Sequence, residues 1–192
     1  VLEQSDGTSW MAMYCLNMLA IALELAREDK VYEDVASKFF EHFVYIADAM
    51  NNVGSEETEL WNERDGFYYD VMHLSGEQFP IKLRSVVGLI PLCAVETIEE
   101  EWLEKLPDFR RRTAWRLQNR KDLVDHIACI QKDGEQSRHL LALVNKERLV
   151  RVLETMLDEQ EFLSDRGIRS LSRFHKDCPY SPDMDHTEYR VE

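Results

Sequence analysis

The sequence predicts an all-α fold in which buried helices alternate with amphipathic ones. Residues 10–26 are apolar around the whole circumference of a helix, a pattern typical of a helix that other elements cover on several sides. Residues 32–50 instead repeat apolar side chains at spacings of three and four, with charged residues between them. Only 7 Gly and 5 Pro interrupt the 192 residues. A buried helix followed by an outer amphipathic helix is the unit from which double-layered helical barrels are built.

The first helix has a polar and acidic start, EQSDGTS. Asp6, Thr8 and Ser9 are each candidates for its N-cap, because a side-chain oxygen at that position accepts a hydrogen bond from the backbone of the first turn. Asn17 and Glu24 interrupt the apolar run behind this start, so we expect no bilayer-spanning segment and no membrane partner.

The middle of the chain carries a turn signal and a long apolar run. The Asp65-Gly66 pair lies between two short aromatic-rich runs and predicts a small hairpin or a tight corner. The run LRSVVGLIPLCAVETI is predicted to be a second buried helix, because its Pro91 disfavours a central strand.

The second half of the chain predicts shorter, more polar elements. Residues 99–120 are highly charged and predict two short outer helices, the second of which begins at Pro107. Residues 145–163 predict an amphipathic helix with Asn145 as its cap. The polar tail from Ser164 onward is expected to be irregular.

Composition and cysteine usage exclude several functional classes. With 44% hydrophobic and 31% charged residues, the chain is expected to be globular rather than disordered. Its net charge of −14 argues against nucleic acid as a partner, because the phosphates would be repelled. The four cysteines lie far apart without a C-x-x-C pair, so we predict neither a zinc site nor a redox motif. No signal-peptide pattern opens the sequence, and we expect a cytoplasmic protein without cofactor or metal.

Four segments of the chain together resemble a known family. In the same order, they are similar to bacterial proteins of glycoside hydrolase family 63, which contains the processing α-glucosidases and related mannosylglycerate-type hydrolases. The segments are residues 2–26, 60–72, 83–98 and 156–180. The resemblance covers nearly the whole chain and implies an (α/α)6 barrel, a ring of inner helices within a ring of outer ones.

The same resemblance implies that residues 1–192 are the middle part of a catalytic barrel, truncated at both ends. The family's acid aspartate would lie upstream of Val1 and its base glutamate downstream of Glu192. We therefore expect no catalytic residue in this chain, since the reaction needs one acid and one base on opposite faces of the sugar. Asp6 and Glu188 are superficially similar to that pair, but Asp6 is more simply a helix cap and the neighbours of Glu188 do not match.

Substrate-binding candidates follow from the loops that would feed the inner helices of such a barrel. Sugar rings stack on aromatic faces, and their hydroxyls bind planar charged groups. The candidates are Gln4, Asp6, Trp10, Arg84 and Arg169, with Ser85 and Ser170 beside the two arginines. For each residue alone a structural role is the simpler interpretation: Trp10 as a core residue, and the two arginines as members of ion pairs.

Two functions from different classes remain. By resemblance, the chain is a fragment of a glycoside hydrolase that acts on α-glucosidic or related bonds with inversion, and its partner is an oligosaccharide or a small glycoside. Alternatively, it is a non-catalytic helical scaffold, or a sugar-binding or interaction fragment. In that case the first helix would be partly uncovered, and exposed barrel faces would drive self-association.

Overall fold

The computed structural model describes residues 1–52, 60–74, 76–120, 128–129, 138–184, 187–188 and 190–191. More than half of these residues are helical, and about a fifth lie in strands that form several antiparallel sheets. The predicted all-α fold is therefore wrong, and with it the assignment of this chain to an (α/α)6 barrel. The chain is a mixed α/β protein.

Helices and strands alternate along most of the described sequence. The helices are α1 Ser5–Ala26, α2 Tyr32–Asn52, a 3-10 helix Val86–Cys93, α3 Glu100–Lys105, α4 Pro107–Asn119, α5 Lys146–Leu157 and α6 Phe174–Asp177. The strands are β1 Leu2–Glu3, β2 Trp61–Asn62, β3 Phe67–Tyr68, β4 Asp70–Leu74, β5 Glu77–Ile81, β6 Val95–Glu99, β7 Ala128–Cys129, β8 Arg138–Ala142, β9 Leu163–Ser164, β10 Gly167–Ile168, β11 Asp183–Met184 and β12 Thr187–Glu188.

The chain divides into two compact units, each built from separated stretches. Unit 1 comprises Val1–Asp6, Val53–Ile90 and Glu147–Glu192. Unit 2 comprises Gly7–Asn52 and Pro91–Lys146.

Unit 1 contains a three-stranded antiparallel sheet in the order β1-β4-β5 and the hairpin β2-β3. The hairpin turns at Asp65-Gly66, as predicted. Gly66 has a φ of 63°, a conformation that glycine adopts without strain, and the Asn62 side chain accepts a hydrogen bond from the N–H of Asp65 at 2.9 Å.

Aromatic side chains form the core of unit 1. The rings of Phe67 and Phe162 stack with centroids 5.6 Å apart, and Tyr69 lies 5.5 Å from Phe67. Trp61 and Tyr68, which pair across the hairpin, have centroids 4.8 Å apart. All five are buried. The Phe67–Phe162 contact joins the hairpin to the segment after α5, so aromatic residues that are distant in sequence form one core.

A strand of unit 1 holds the start of α1. The backbone N–H and the hydroxyl of Ser5 donate to Oδ1 of Asp70 over 2.7 and 3.0 Å. Pairing of β1 with β4 brings this carboxylate to the first turn, where the helix dipole favours negative charge. The predicted N-caps Asp6, Thr8 and Ser9 are wrong, because α1 begins at Ser5 and all three lie inside it.

The predicted second buried α-helix is also wrong. Its first half is the 3-10 helix, which contains Pro91, and its second half is strand β6. Val95, Thr97 and Ile98 are β-branched and favour a strand, and β6 pairs along its full length with β8. In contrast, two short helices occur where charged residues predicted them, and Pro107 opens α4.

Unit 2 contains the sheet β6-β8-β7 and the packed pair of α2 and α4. Phe40 of α2 contacts Phe109 of α4 edge to face, with centroids 6.3 Å apart. Glu33 is only 3% exposed, and its carboxylate accepts the N–H of Phe109 at 2.9 Å. An acidic residue of one helix thereby satisfies a free donor in the first turn of the other.

One side of α1 is uncovered. Exposed fractions of 39 to 54% occur at helical spacing along its length, and these residues form what we term the α1 stripe: Trp10, Met11, Tyr14, Met18, Ile21 and Leu25. The opposite face, which includes Leu16, Leu19 and Leu23, is fully buried. In a complete barrel, other helices were expected to cover α1 on several sides, and this is not observed. In the described part of the chain, α1 alone is long and apolar enough to cross a membrane, by length and composition.

Candidate functional site

A cluster of polar side chains in unit 1 is built around Arg84, one of the predicted substrate-binding residues. Its guanidinium pairs with the carboxylate of Glu161, and its Nε donates to the hydroxyl of Tyr69 at 3.3 Å. The guanidinium also lies 4.7 Å from the ring centroid of Phe174. The side chains of Arg84 and Glu161 are only 21% and 14% exposed, so the charges are largely removed from water and depend on each other.

Two further side chains complete this Arg84 cluster. The backbone N–H of Arg84 donates to Nε2 of His175 at 2.9 Å. That acceptor role places the imidazole proton on Nδ1, which is 3.1 Å from the carbonyl of Cys178 and donates to it. The hydroxyl of Ser172 donates to the second carboxylate oxygen of Glu161. His175 and Ser172 are each 2% exposed, so these polar groups are buried and satisfied.

Burial and charge together fix the protonation of two members of the cluster. Burial raises the pKa of Tyr69 to about 12, and the Asp65 carboxylate adds to the shift while Arg84 opposes it. Burial lowers the pKa of Arg84, but the hydrogen bond with Tyr69 and the charge of Glu161 outweigh it and raise that pKa overall. Neither group changes charge near neutral pH, so both act through position and charge rather than proton transfer.

Arg169, a second predicted residue, binds backbone carbonyl groups of the loop at 159–163. Its Nη1 donates to the backbone carbonyls of Glu159 at 3.1 Å, Glu161 at 3.2 Å and also Leu163. Arg169 was interpreted as an ion-paired residue, but its recorded contacts are hydrogen bonds to the main chain. Because Arg84 binds the side chain of Glu161 and Arg169 binds its carbonyl, the two predicted arginines meet at this residue.

A polar cavity of about 380 Å³ opens beside Arg169. Apart from Leu163 its lining residues are polar or charged, and we term it the Arg169 pocket: Glu159, Leu163, Ser164, Asp165, Arg166, Arg169 and Arg173. Arg166 and Arg173 are exposed, and Ser164 donates its hydroxyl hydrogen to the carbonyl of Gly167 at 2.7 Å. Guanidinium donors and carboxylate acceptors in one small cavity suit a ligand rich in hydroxyl groups.

Backbone pairing explains why the two arginine segments lie together. Ser85 and Leu171 form an antiparallel bridge, and the N–H of Val86 donates to the carbonyl of Ser170 at 2.8 Å. The N–H of Ser172 donates to the carbonyl of Arg84 at the same distance. The predicted neighbours Ser85 and Ser170 thus belong to the junction that joins the cluster to the pocket.

The other three predicted residues lie around the start of α1. Gln4 is exposed and Asp6 is half-buried, on either side of Ser5. Ser5 binds Asp70, the residue that follows Tyr69 of the Arg84 cluster. Gln4 and Asp6 belong to unit 1 together with the arginines, whereas Trp10 belongs to unit 2.

Trp10 is not a core residue. It is 39% exposed and its ring stacks with Tyr14 of the α1 stripe at 6.4 Å between centroids. The structure therefore brings Arg84 and Arg169 together and leaves Trp10 on a helix surface of the other unit.

Sequence reasoning missed Glu161, Tyr69 and Ser172 as members of the cluster, because no local pattern distinguishes them. His175 and Cys178 lie three residues apart, a spacing that metal ligands can have, but the contact is between the imidazole and the carbonyl of Cys178. Among the described residues, no group of three His, Cys, Asp or Glu side chains is arranged to hold a metal. The side chain of Glu188 lies outside the described part of the chain.

Comparison with known proteins gives one clear similarity. The chain is 46% identical over 202 aligned residues to a protein of Saccharomyces cerevisiae, "Uncharacterized protein YMR196W". The two are similar along 99% of this chain. That alignment covers 19% of the yeast protein, so the chain spans about a fifth of the length of this relative. No protein-family model matches the chain. No solved structure matches it.

Proposed function

We propose that the chain is the substrate-binding part of a glycoside hydrolase that acts on α-glucosidic or related bonds with inversion. The catalytic acid and base lie outside this chain, in the remainder of a longer protein. One observation carries the proposal: three of the four segments that resemble family 63 meet at Arg84, and the first segment contacts Asp70 beside them.

The meeting point is a set of side-chain contacts between distant segments. Tyr69 comes from residues 60–72, Arg84 from residues 83–98 and Glu161 from residues 156–180. Ser5, from the first segment, binds Asp70 next to Tyr69. Segments that converge on a single buried ion pair support a common role, although a likeness of segments does not identify the substrate.

The contacts divide the predicted residues into two roles. Arg84 and Arg169 position the loop at 159–163, because their donors are engaged by protein groups. The exposed Arg166 and Arg173 of the Arg169 pocket bind sugar hydroxyls. Gln4, Asp6 and Trp10, the predicted residues at the start of α1, are proposed as sugar contacts in their own right. The ligand is an oligosaccharide or small glycoside, and the reaction needs no cofactor. We place the protein in the cytoplasm, with Cys15, Cys93 and Cys178 as free thiols.

Sugar binding and sugar release test this proposal separately. We expect the 192-residue chain to release no sugar from a panel of α-glucosides and mannosides, because it lacks the acid and base. We expect it to bind α-linked glucose disaccharides in calorimetric titrations, with affinity reduced about tenfold by Arg166→Gln or Arg173→Gln. The exposed Arg64→Gln is the matched control. Sugar release by the chain, or equal affinity of all three variants and wild type, would contradict the proposal.

A second candidate function is association, and the α1 stripe favours it. Contiguous exposed apolar surface on one helix is typical of an interaction face. We expect light scattering to give a mass above the 22.6 kDa of a monomer, and Met18→Glu together with Ile21→Glu to restore the monomer. Lys substitutions at the exposed Glu24 and Glu28 serve as controls, since they change charge without removing apolar surface. A wild-type chain that stays monomeric at high concentration rules out self-association.

A further inference from the structure

A second cavity, of about 500 Å³, lies within unit 2 between α2 and α4. We term it the α2–α4 groove. Its volume falls in the range of small-molecule sites, and it includes none of the residues assigned above to substrate binding. One exposed aromatic ring and two ion pairs give it a distinct chemistry.

Trp115 supplies the apolar part of this groove. Its side chain is 60% exposed, although an indole is among the most strongly apolar surfaces a protein can expose. Single exposed apolar residues are common on protein surfaces and carry no argument alone. Phe40 of α2, which is 1% exposed, lines the same groove. An open indole face in a cavity is a stacking platform for the C–H face of a sugar ring.

Two ion pairs between the helices supply the polar part. Arg112 pairs with Asp34, and Arg116 pairs with Glu41 at 2.7 Å. All four residues line the groove. Each pair presents guanidinium N–H donors next to carboxylate acceptors, and a sugar hydroxyl can use both at once. The Arg116–Glu41 pair, with side chains 22% and 35% exposed, is the better ordered of the two, so ligand binding costs less conformational entropy there.

The charge balance of the groove favours a neutral ligand. The guanidinium groups of Arg112 and Arg116 are compensated by carboxylates within the groove, and Arg111, which also lines it, pairs with Asp108 at 2.8 Å. The chain as a whole carries a net charge of −14. An anion would therefore meet both local carboxylates and an unfavourable overall field. Lys38, which is exposed at the groove, adds a donor for hydroxyl groups.

We propose that the α2–α4 groove is a second carbohydrate-binding site, which holds a neutral oligosaccharide by stacking a sugar ring on Trp115. Arg112, Arg116 and their carboxylate partners bind the hydroxyl groups on either side of the ring. The site goes beyond the proposed function, because it lies in unit 2 and binds sugar without catalysis. It would keep a polymeric or branched substrate attached to the protein while the reaction occurs elsewhere.

Tryptophan fluorescence and calorimetry with maltoheptaose test this site in the 192-residue chain. We expect a saturable change in emission, which Trp115→Ala abolishes together with a loss of affinity of about tenfold. Tyr45→Ala, which removes another exposed aromatic ring of α2 that does not line the groove, is the matched control and should leave the affinity unchanged. Lys38→Ala should weaken binding about threefold, whereas Lys30→Ala, at an exposed position outside the groove, should not.

The variants separate this proposal from the proposed function. Binding that survives Trp115→Ala but is lost in Arg173→Gln places the sugar at the Arg169 pocket and overturns the groove proposal. Binding lost in Trp115→Ala and retained in Arg173→Gln supports the groove, whatever the outcome at the Arg169 pocket. Absence of any binding to maltoheptaose, or preference for a sulfated oligosaccharide over the neutral one, also overturns it.

Discussion

Replacing Glu161 with alanine should lower the free energy of unfolding by about 3 kcal/mol, a large part of the stability of a typical domain. The substitution leaves the guanidinium of Arg84, which is 21% exposed, without its carboxylate. It also removes the acceptor for the hydroxyl of Ser172, which is almost fully buried. An unpaired charge in a buried site costs more than the intact pair contributes, because its hydration is lost without compensation.

Urea denaturation followed by circular dichroism measures this loss. The control is Asp108→Ala, which breaks the pair with Arg111, where the two side chains are 53% and 71% exposed. An exposed pair of this kind contributes at most about 1 kcal/mol. The double substitution Arg84→Met with Glu161→Leu should recover part of the stability, since no charge is left unpaired. Equal losses in Glu161→Ala and Asp108→Ala would show that the Arg84 cluster does not hold unit 1 together.

Gly88→Ala is expected to cost about 3 kcal/mol, although it adds a single methyl group. A Cβ at this position would lie less than 3.0 Å from Cε1 and Cζ of Phe67 and from the carbonyl oxygen of Tyr68. Phe67 is fully buried between Tyr69 and Phe162, so its ring has no free space into which to move. The carbonyl belongs to strand β3 and moves only with the hairpin.

Gly76→Ala is the matched control for this prediction. Gly76 has a φ of 89°, and no atom lies within 4 Å of an added Cβ. Only backbone strain of about 1 kcal/mol should follow there. Phe67→Leu should partly rescue Gly88→Ala in a double-mutant cycle, because a smaller side chain relieves the overlap. Thermal unfolding and near-ultraviolet circular dichroism report both effects, and a Gly88→Ala variant no less stable than Gly76→Ala would contradict the steric argument.

Elements with strong local signals were predictable from the sequence. The hairpin at Asp65-Gly66 needs only a turn residue pair between apolar runs, and α4 needs only Pro107 at its start. The helix after Asn145 begins at the next residue, although it ends at Leu157 and not at the predicted residue 163. Each of these signals acts within a few residues and does not depend on the rest of the fold.

Long-range pairing decided the elements that were predicted wrongly. Strand β6 exists because β8 pairs with it, with Thr97 opposite Leu140, and no local pattern in an apolar run around Pro91 distinguishes that strand from a helix. Because α1 has apolar residues on every side, its sequence does not indicate which side is buried. The exposed α1 stripe is determined by the elements that pack against the other side of the helix.

The candidate site shows the same division. Arg84 was singled out by residue type and by its place before a predicted helix, and Arg169 by residue type within the resembling segment 156–180. Their partner Glu161 lies 77 residues after Arg84, in an acidic run that resembles ordinary surface. The groove at Trp115 was missed because α4 was considered only as an outer helix, and its pairing with α2 joins residues about 75 positions apart.

The interleaving of the two units has a consequence for synthesis on the ribosome. Every residue of unit 2 has been made once Lys146 is added, so unit 2 can fold on the nascent chain. Unit 1 cannot complete its folding at that stage, because Phe162 and Glu161, the partners of Phe67 and Arg84, have not yet been synthesised. Until residue 162 has been added, the aromatic side chains of the β2-β3 hairpin are exposed and can bind chaperones. A chain that terminates before residue 161 would leave unit 1 without its core.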